Sequence, residues 1–274
     1  MTGTPLLGAR RLRELCERHG VRPQKALGQN FVIDPNTIRK IVELADVRPG
    51  DVVLEIGAGA GSLTLALASE AAKVIAVEID RRLLPLLEEL LGDVANVEIR
   101  NDDAVAVVDG PIDADKLVAN LPYNIAVSLV LSVLQNAPRI SSLTVMTQRE
   151  AGERLAASPG SKAYGVSSVL AQFHSEVSLA GRVSRNAFWP VPNVDSVIVT
   201  CRRRGTVPEI DLGRFSAIVN ASFGQRRKMI RNALATVTQD VHRATEVLER
   251  AGIDPSTRAE HVSVEGYIAL ARLL

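Results

Sequence analysis

The chain has 274 residues, 46% hydrophobic and 23% charged, with a formal net charge of +1, enough for one large domain or a core plus a smaller domain. Its longest apolar stretches, such as 125–134, are short and interrupted by serine, and no apolar segment with a cleavage site follows the N-terminal arginines, so neither a membrane partner nor export is expected. Cys16 and Cys201 form no CxxC and the four histidines fit no metal spacing. Free thiols, no metal and a cytoplasmic location are the expectation.

Residues 1–25 carry six Lys/Arg against two Asp/Glu, and 10–18 read as a short basic helix. A loop over 23–34 contains Gly28-Gln29-Asn30-Phe31, and Pro35 opens a helix to about residue 45. From Asp51 onward strands are expected at 52–56, 74–79, 97–100, 116–120 and 143–147. Helices are expected at 62–69, 81–91, 125–134 and 148–156. Apolar strands alternating with such helices signal βαβ units, an α/β class with a Rossmann-like, mainly parallel sheet. Residues 158–165 are a loop. Segments 173–179 and 196–201 read as strands separated by Phe188-Trp189-Pro190-Val191-Pro192, too close for a crossover helix, which suggests an antiparallel edge hairpin. Beyond a linker near 204–208 the pattern is helical over 212–223, 228–237, 244–251 and 264–273.

Charge follows the same division. Residues 26–120 hold eight Lys/Arg against seventeen Asp/Glu, whereas 181–274 hold fourteen against nine. An acidic middle with basic ends suits a cationic small molecule and a polyanion respectively, although uneven surface charge is common and this is supporting evidence only.

Three strand ends in succession carry ligand-binding residue types. Leu54-Glu55-Ile56-Gly57-Ala58-Gly59-Ala60-Gly61-Ser62 joins the first strand to a helix, and glycines there let the backbone pass close beneath a ligand. Glu78, twenty-one residues past Gly57, can hold ribose hydroxyls, with Asp80 behind it. Asp102-Asp103-Ala104 adds an acid at the third strand end, where a capping or solvated Asp is the plain alternative. The glycine spacing is not G-x-G-x-x-G, which argues against a nicotinamide dinucleotide. A nucleoside with a sulfonium, S-adenosylmethionine, is the cofactor implied. At the fourth strand end stands Asn120-Leu121-Pro122-Tyr123. The Asn120 side-chain oxygen and the Leu121 carbonyl can both accept from an exocyclic amino group, Pro122 restricts the backbone, and Tyr123 offers a flat face. Taken alone, a capped strand-to-helix turn explains these four residues equally well. Aromatics number only five Phe, three Tyr and one Trp, so one beside this turn is less expected by chance.

With these elements in order, the chain resembles the small-subunit ribosomal RNA adenine dimethyltransferases of the kasugamycin-sensitivity type. Besides the glycine motif, Val77-Glu78-Ile79-Asp80, Asp103-Ala104 and Asn120-Leu121-Pro122-Tyr123-Asn124, the resemblance rests on Gly28-Gln29-Asn30-Phe31, Ser161-Lys162-Ala163-Tyr164-Gly165, Phe188 to Ser196, Phe223-Gly224-Gln225-Arg226-Arg227-Lys228 and Gly252-Ile253-Asp254-Pro255. It implies a class I methyltransferase domain (25–205) after a basic extension (1–24), followed by a helical rRNA-binding domain (206–274). It implies S-adenosylmethionine contacts from Asn30, Val32, Gly57, Glu78, Asp103 and Asn120. The catalytic turn would be Asn120, Leu121, Pro122 and Tyr123. Tyr123 and Phe188 would sandwich the base, and Arg226, Arg227 and Lys228 would meet phosphate. The implied substrate is a pair of adjacent adenosines in the terminal hairpin loop of 16S rRNA, each methylated twice on the exocyclic nitrogen, within an immature small subunit. A monomer is expected. Two features depart from the family pattern: the basic extension to about Gly20, and Trp189 where a small or polar residue is expected. The readings kept beside this one are a nicotinamide-dependent oxidoreductase, a large-subunit adenine methyltransferase of the macrolide-resistance type, and a non-catalytic ribosome-assembly factor.

Overall fold

The computed structural model describes residues 6–24 and 27–274. In chain order the elements are α1 (Ala9–Arg18), β1 (Phe31–Val32), α2 (Pro35–Ala45), β2 (Val52–Ile56), α3 (Ser62–Ala68), β3 (Lys73–Val77), α4 (Leu84–Leu91), β4 (Val97–Arg100), α5 (Ala104–Asp109) and β5 (Lys116–Asn120). There follow α6 (Ala126–Asn136), β6 (Ser142–Gln148), α7 (Arg149–Leu155), α8 (Val166–His174), β7 (Ser175–Val183), β8 (Phe188–Trp189), β9 (Ser196–Arg203), α9 (Leu212–Gly224), α10 (Ile230–Thr238), α11 (Val241–Arg250) and α12 (Val264–Leu273). They divide into two compact units. The first runs to Gly152 and resumes over Glu176–Arg203; the second comprises Glu153–Ser175 and Arg204–Leu274.

In the first unit a seven-stranded sheet has the order β4-β3-β2-β5-β6-β9-β7. The first five strands are mutually parallel, and β9 runs antiparallel to β6 from Ser142↔Arg202 to Gln148↔Ser196. The fold is therefore the expected α/β class. β2 lies between β3 and β5, so the strand order reverses there, the place where open α/β sheets leave a crevice at their carboxyl ends. The strands are apolar throughout because both faces are covered. On one face Val53, Val74, Val118, Met146 and Ile198 pack with Ile38 and Ile41 of α2 and Leu63 and Leu67 of α3. A separate cluster joins Ala76 to Leu83, Leu86, Leu87 and Leu91 and to Leu12, Leu15 and Cys16 of α1. α1 is thus part of this unit's core, since the basic helix carries an apolar stripe on its other face.

Several local expectations are corrected. Residues 81–91 begin as one 3-10 turn, Arg81–Leu83, before Pro85 sets α4 in its first turn. The second strand ends at Val77, which leaves Glu78 in the loop. Phe173 and His174 close α8 rather than open a strand: Val166, Val169, Leu170 and Phe173 recur at helical spacing, and the strand starts at Ser175. The short helix α5 and the two-stranded β1–β8 sheet are too brief for any periodic signal.

The second unit is all helical. Phe215, Ile218, Leu234, Leu248 and Tyr267 form its core together with Tyr164, Val169 and Phe173. Its compact boundary therefore differs from a division at 205/206, because 153–175 contributes large buried side chains to it. The Tyr164 hydroxyl donates to the Val262 carbonyl at 3.0 Å, giving the Ser161–Gly165 motif a structural role. Among the described residues, no helix is long and apolar enough to cross a membrane.

Arg203, the last residue of β9, ends α6. Its guanidinium donates to the carbonyls of Leu134 (2.8 Å), Ala137 (3.0 Å) and Ile140 (3.0 Å), satisfying groups that a helix terminus otherwise leaves unpaired. Arg203→Met is expected to lower unfolding free energy by about 2 kcal/mol, because partly buried carbonyls lose a charged donor. Urea titration checks this, and an unchanged midpoint would mean that water replaces the guanidinium without cost.

Candidate active site

Parallel register brings the carboxyl ends of β2, β3, β4 and β5 to one edge of the first unit, where they line a cleft. All six residues expected to contact the cofactor, Asn30, Val32, Gly57, Glu78, Asp103 and Asn120, are in its wall. After β2 the chain takes left-handed backbone angles at Gly57, Gly59 and Gly61 (φ +79°, +57° and +80°), a region costly for side chains bearing a Cβ. A Cβ on Gly59 would also stand 3.1 Å from the Phe31 ring.

Glu78 is buried, and burial raises its pKa. One oxygen accepts from the Gly59 amide at 2.8 Å and the other from the Asp80 amide at 2.9 Å. Each oxygen keeps a lone pair for a further donor. Asp80 accepts from Gln29 Nε2 at 2.8 Å, and its carboxyl is held below the usual range chiefly by hydrogen bonds from Arg82. Asp103 is the N-cap of α5, accepting from the Val105 amide at 2.8 Å through Oδ1, and so combines a capping role with its place in the cleft wall.

At the end of β5, Asn120 Nδ2 donates to the Asn30 carbonyl at 3.0 Å, which turns Oδ1 away from that loop. Gly28 lies so close to the turn that a Cβ there would be 3.3 Å from Pro122 Cβ. The Leu121 side chain is buried and its amide donates to the Met146 carbonyl at 3.0 Å. The Pro122 carbonyl accepts from Ile125 at 3.2 Å, closing the turn into α6. Tyr123 is half-buried, its hydroxyl 3.0 Å from Ser196 Oγ, and burial raises its phenol pKa. The structure therefore brings the Asn-Leu-Pro-Tyr turn and the Gly28–Phe31 loop together as one wall.

A family model for ribosomal RNA adenine dimethylase matches residues 20–274. The chain belongs to that family. It is 47% identical to the ribosomal RNA small subunit methyltransferase A of Leifsonia xyli subsp. xyli, over 97% of this chain and 98% of that protein. It is 46% identical to the protein of the same description from Streptomyces coelicolor, over 98% and 97%. Among solved structures, a dimethyladenosine transferase from Plasmodium falciparum shares the fold with a TM-score of 0.78 at 24% identity, covering 88% of this chain and 95% of that one. The 23S rRNA methyltransferase ErmE gives 0.73 at 30% identity, covering 89% and 99%. As a ribosomal RNA adenine dimethylase the protein is an enzyme, a methyltransferase.

Two expectations for this dimethylase change in detail. Phe188 is 1% exposed, paired with Val32 across the β1–β8 strands and packed in the core over α2. It offers no free face for a sandwich in this structure. Arg226-Arg227-Lys228 lie in the turn between α9 and α10, not on a helix face. Arg226 is committed within the second unit, to Glu260 and to the Lys162 carbonyl at 2.9 Å, while Arg227 and Lys228 are exposed.

Glu55 and Ser196 stand inside motifs that carry the resemblance, with no role of their own expected there. Ser196 is buried and anchors Tyr123; nothing in its local pattern marks it. Glu55 is a carboxyl inside an apolar strand, and that anomaly was the available signal. It is 1% exposed, and burial with the nearby Glu78 carboxyl pushes its pKa up to about 8. Its Oε2, like Ser62 Oγ, has no hydrogen-bond partner among the described residues, and both residues line the cleft. From the ordinary carboxyl pKa of 4.5 to about 8, the folded protein holds a proton that the unfolded chain has released. Stability must therefore fall as pH rises through that window, by up to about 1.4 kcal/mol per unit. Glu55→Gln should remove this slope. Urea titrations of both proteins between about pH 5 and pH 8 test it, and parallel profiles would show that Glu55 is ionised in the fold.

Proposed function

We propose that the cleft binds S-adenosylmethionine and that the enzyme methylates, twice each, the exocyclic nitrogens of two adjacent adenosines in the 3′-terminal hairpin loop of 16S rRNA. The observation that carries this reading is the orientation of Asn120, whose amide is spent on Asn30 and whose oxygen is thereby directed away from the loop at the fourth strand end. The wall chemistry fits the cofactor. A glycine cradle, a buried carboxyl with a spare lone pair on each oxygen, and two unpartnered polar atoms at Glu55 and Ser62 suit a nucleoside with a polar, cationic tail. When bound, S-adenosylmethionine supplies an electrophilic methyl group on a sulfonium.

Glu78 would accept from the ribose hydroxyls and Asp103 from the cofactor's adenine amino group, the Gly57 backbone would allow close approach, and Asn30 and Val32 would form the facing wall. Asn120 Oδ1 and the Leu121 carbonyl accept the two hydrogens of the target amino group. That would favour a pyramidal nitrogen and free its lone pair for in-line attack on the methyl carbon, whose bond to sulfur breaks as the carbon–nitrogen bond forms, leaving a neutral thioether and one proton to be lost from nitrogen. In the second transfer a single N–H remains to be held. Tyr123, held by Ser196, stacks on the flipped base. Positioning of this kind can supply on the order of 7 kcal/mol of barrier reduction without a strong base. In the helical unit, the exposed Arg227 and Lys228 meet phosphate, which positions RNA without specifying bases.

The small-subunit description shared by the near-full-length relatives supports small-subunit rRNA as the target; that the protein acts as a cytoplasmic monomer on the 16S rRNA of an immature subunit is the finer part of this proposal. The likeness to a 23S methyltransferase favours a second reading, large-subunit RNA. Methyl transfer from labelled S-adenosylmethionine to unmethylated small subunits, with 23S rRNA in parallel, separates the two. Label is expected as dimethyladenosine in the terminal 16S hairpin, and Asn120→Ala should reduce transfer by at least about a hundredfold. Label confined to 23S would install the second reading, and tight subunit binding without transfer would leave a non-catalytic assembly factor.

A further inference from the structure

We propose that α1, acting through Arg13 and Trp189, is a positioning latch for the Gly28–Phe31 loop, so that cofactor affinity depends on side chains outside the cleft. The inference rests on the reading that the cleft holds S-adenosylmethionine. It also joins the N-terminal helix and Trp189 in one contact.

Trp189 pairs with Phe31 across the β1–β8 strands, and their rings lie 6.3 Å apart at 49°. On the other side, the Arg13 guanidinium of α1 stands 5.8 Å from the Trp189 ring centroid, within cation–π range. The Phe31 ring in turn lies against Gly59, where a Cβ would stand 3.1 Å from it, and the next residue back is Asn30, whose carbonyl holds Asn120. An unbroken series of contacts therefore leads from an exposed arginine to the glycine motif and the Asn120 amide. Among the described residues, neither Arg13 nor Trp189 lines the cleft.

A latch needs a fixed frame as well as a moving part. Leu12, Leu15 and Cys16 of α1 are buried with Leu83, Leu86 and Leu87, and His19 Nε2 meets Glu89 of α4 at 2.7 Å. The helix is thus fastened to the segment that follows Glu78 and Asp80. Gln29 bonds Asp80 from the loop side, at 2.8 Å. With α1 fastened to one wall and stacked through Trp189 on the other, the separation of the two walls is set by contacts that the cofactor does not touch.

The test is calorimetric titration of S-adenosylmethionine into the full chain, as wild type, Arg13→Gln, Trp189→Ala, Trp189→Phe and the Arg13→Gln/Trp189→Ala double variant. Arg13 is exposed, so its replacement leaves the core intact and keeps the test available if Trp189→Ala misfolds. Arg13→Gln should raise Kd about threefold and Trp189→Ala about tenfold. The double variant should bind no worse than Trp189→Ala, and Trp189→Phe should recover most of the affinity. Unchanged Kd in Arg13→Gln, or additive losses in the double variant, would overturn the latch while leaving the cofactor reading standing. A wild type that does not bind S-adenosylmethionine would remove both.

Discussion

The bond from the Asn120 amide to the Asn30 carbonyl couples two parts of the chain ninety residues apart in sequence. Without it the Asn120 side chain could rotate, and its oxygen and nitrogen could exchange places at the rim. With it, one end of the amide is consumed by the protein and the other is left for a ligand. The Gly28–Pro122 approach and the Gly59–Phe31 contact both depend on the loop staying where that bond holds it. The Glu78 carboxyl depends on the same region, because its Gly59 hydrogen bond comes from the glycine run beneath Phe31.

Glu55 and Glu78, two of the three carboxyls buried around β2 and β3, are an unusual cost in a region otherwise apolar at this depth. Glu78 offsets the cost with two backbone amides, whereas at Glu55 burial and the nearby Glu78 carboxyl push the pKa up to about 8. The difference follows from position. Glu78 sits beyond the end of β3, where backbone amides are free, while Glu55 is inside β2, where the ladder has already used them. Such groups concentrate where a ligand supplies missing partners.

Much of this was legible in the sequence, and the unread parts have physical reasons. The parallel core was readable because continuous apolar strands are what doubly covered sheets require. Gly57, Glu78, Asp103 and Asn120 were readable because each stands at or just past a strand end, and parallel strands deliver their ends to one edge, whereas Asn30 and Val32 came only from the resemblance. The β1–β8 pair was not, since two residues carry no period and the partners are more than 150 positions apart. Phe188 looked like a stacking residue in a proline-rich loop, and its burial is set by packing from α2, which no local pattern reports. Arg226 looked like its neighbours Arg227 and Lys228, but Glu260 lies thirty-four positions downstream. Residues 153–175 fall in the second compact unit although their apolar spacing fits either, because tertiary packing decides.

The order of residues in the chain also sets an order of assembly. The first unit leaves the chain at Gly152 and resumes at Glu176, so its sheet is interrupted by a stretch that belongs to the other unit. During synthesis the cofactor-side strands β2 to β6 emerge first, but Phe31 must wait for Trp189 to find its strand partner, and Tyr123 must wait for Ser196 to find its anchor. A nascent chain that has not yet exposed β9 can carry the glycine motif and the Asn-Leu-Pro-Tyr turn without the contacts that fix either aromatic ring. The site is therefore completed late, by residues from the far end of the first unit, and a chain released early would contain the glycine motif and the Asn-Leu-Pro-Tyr turn but not the geometry.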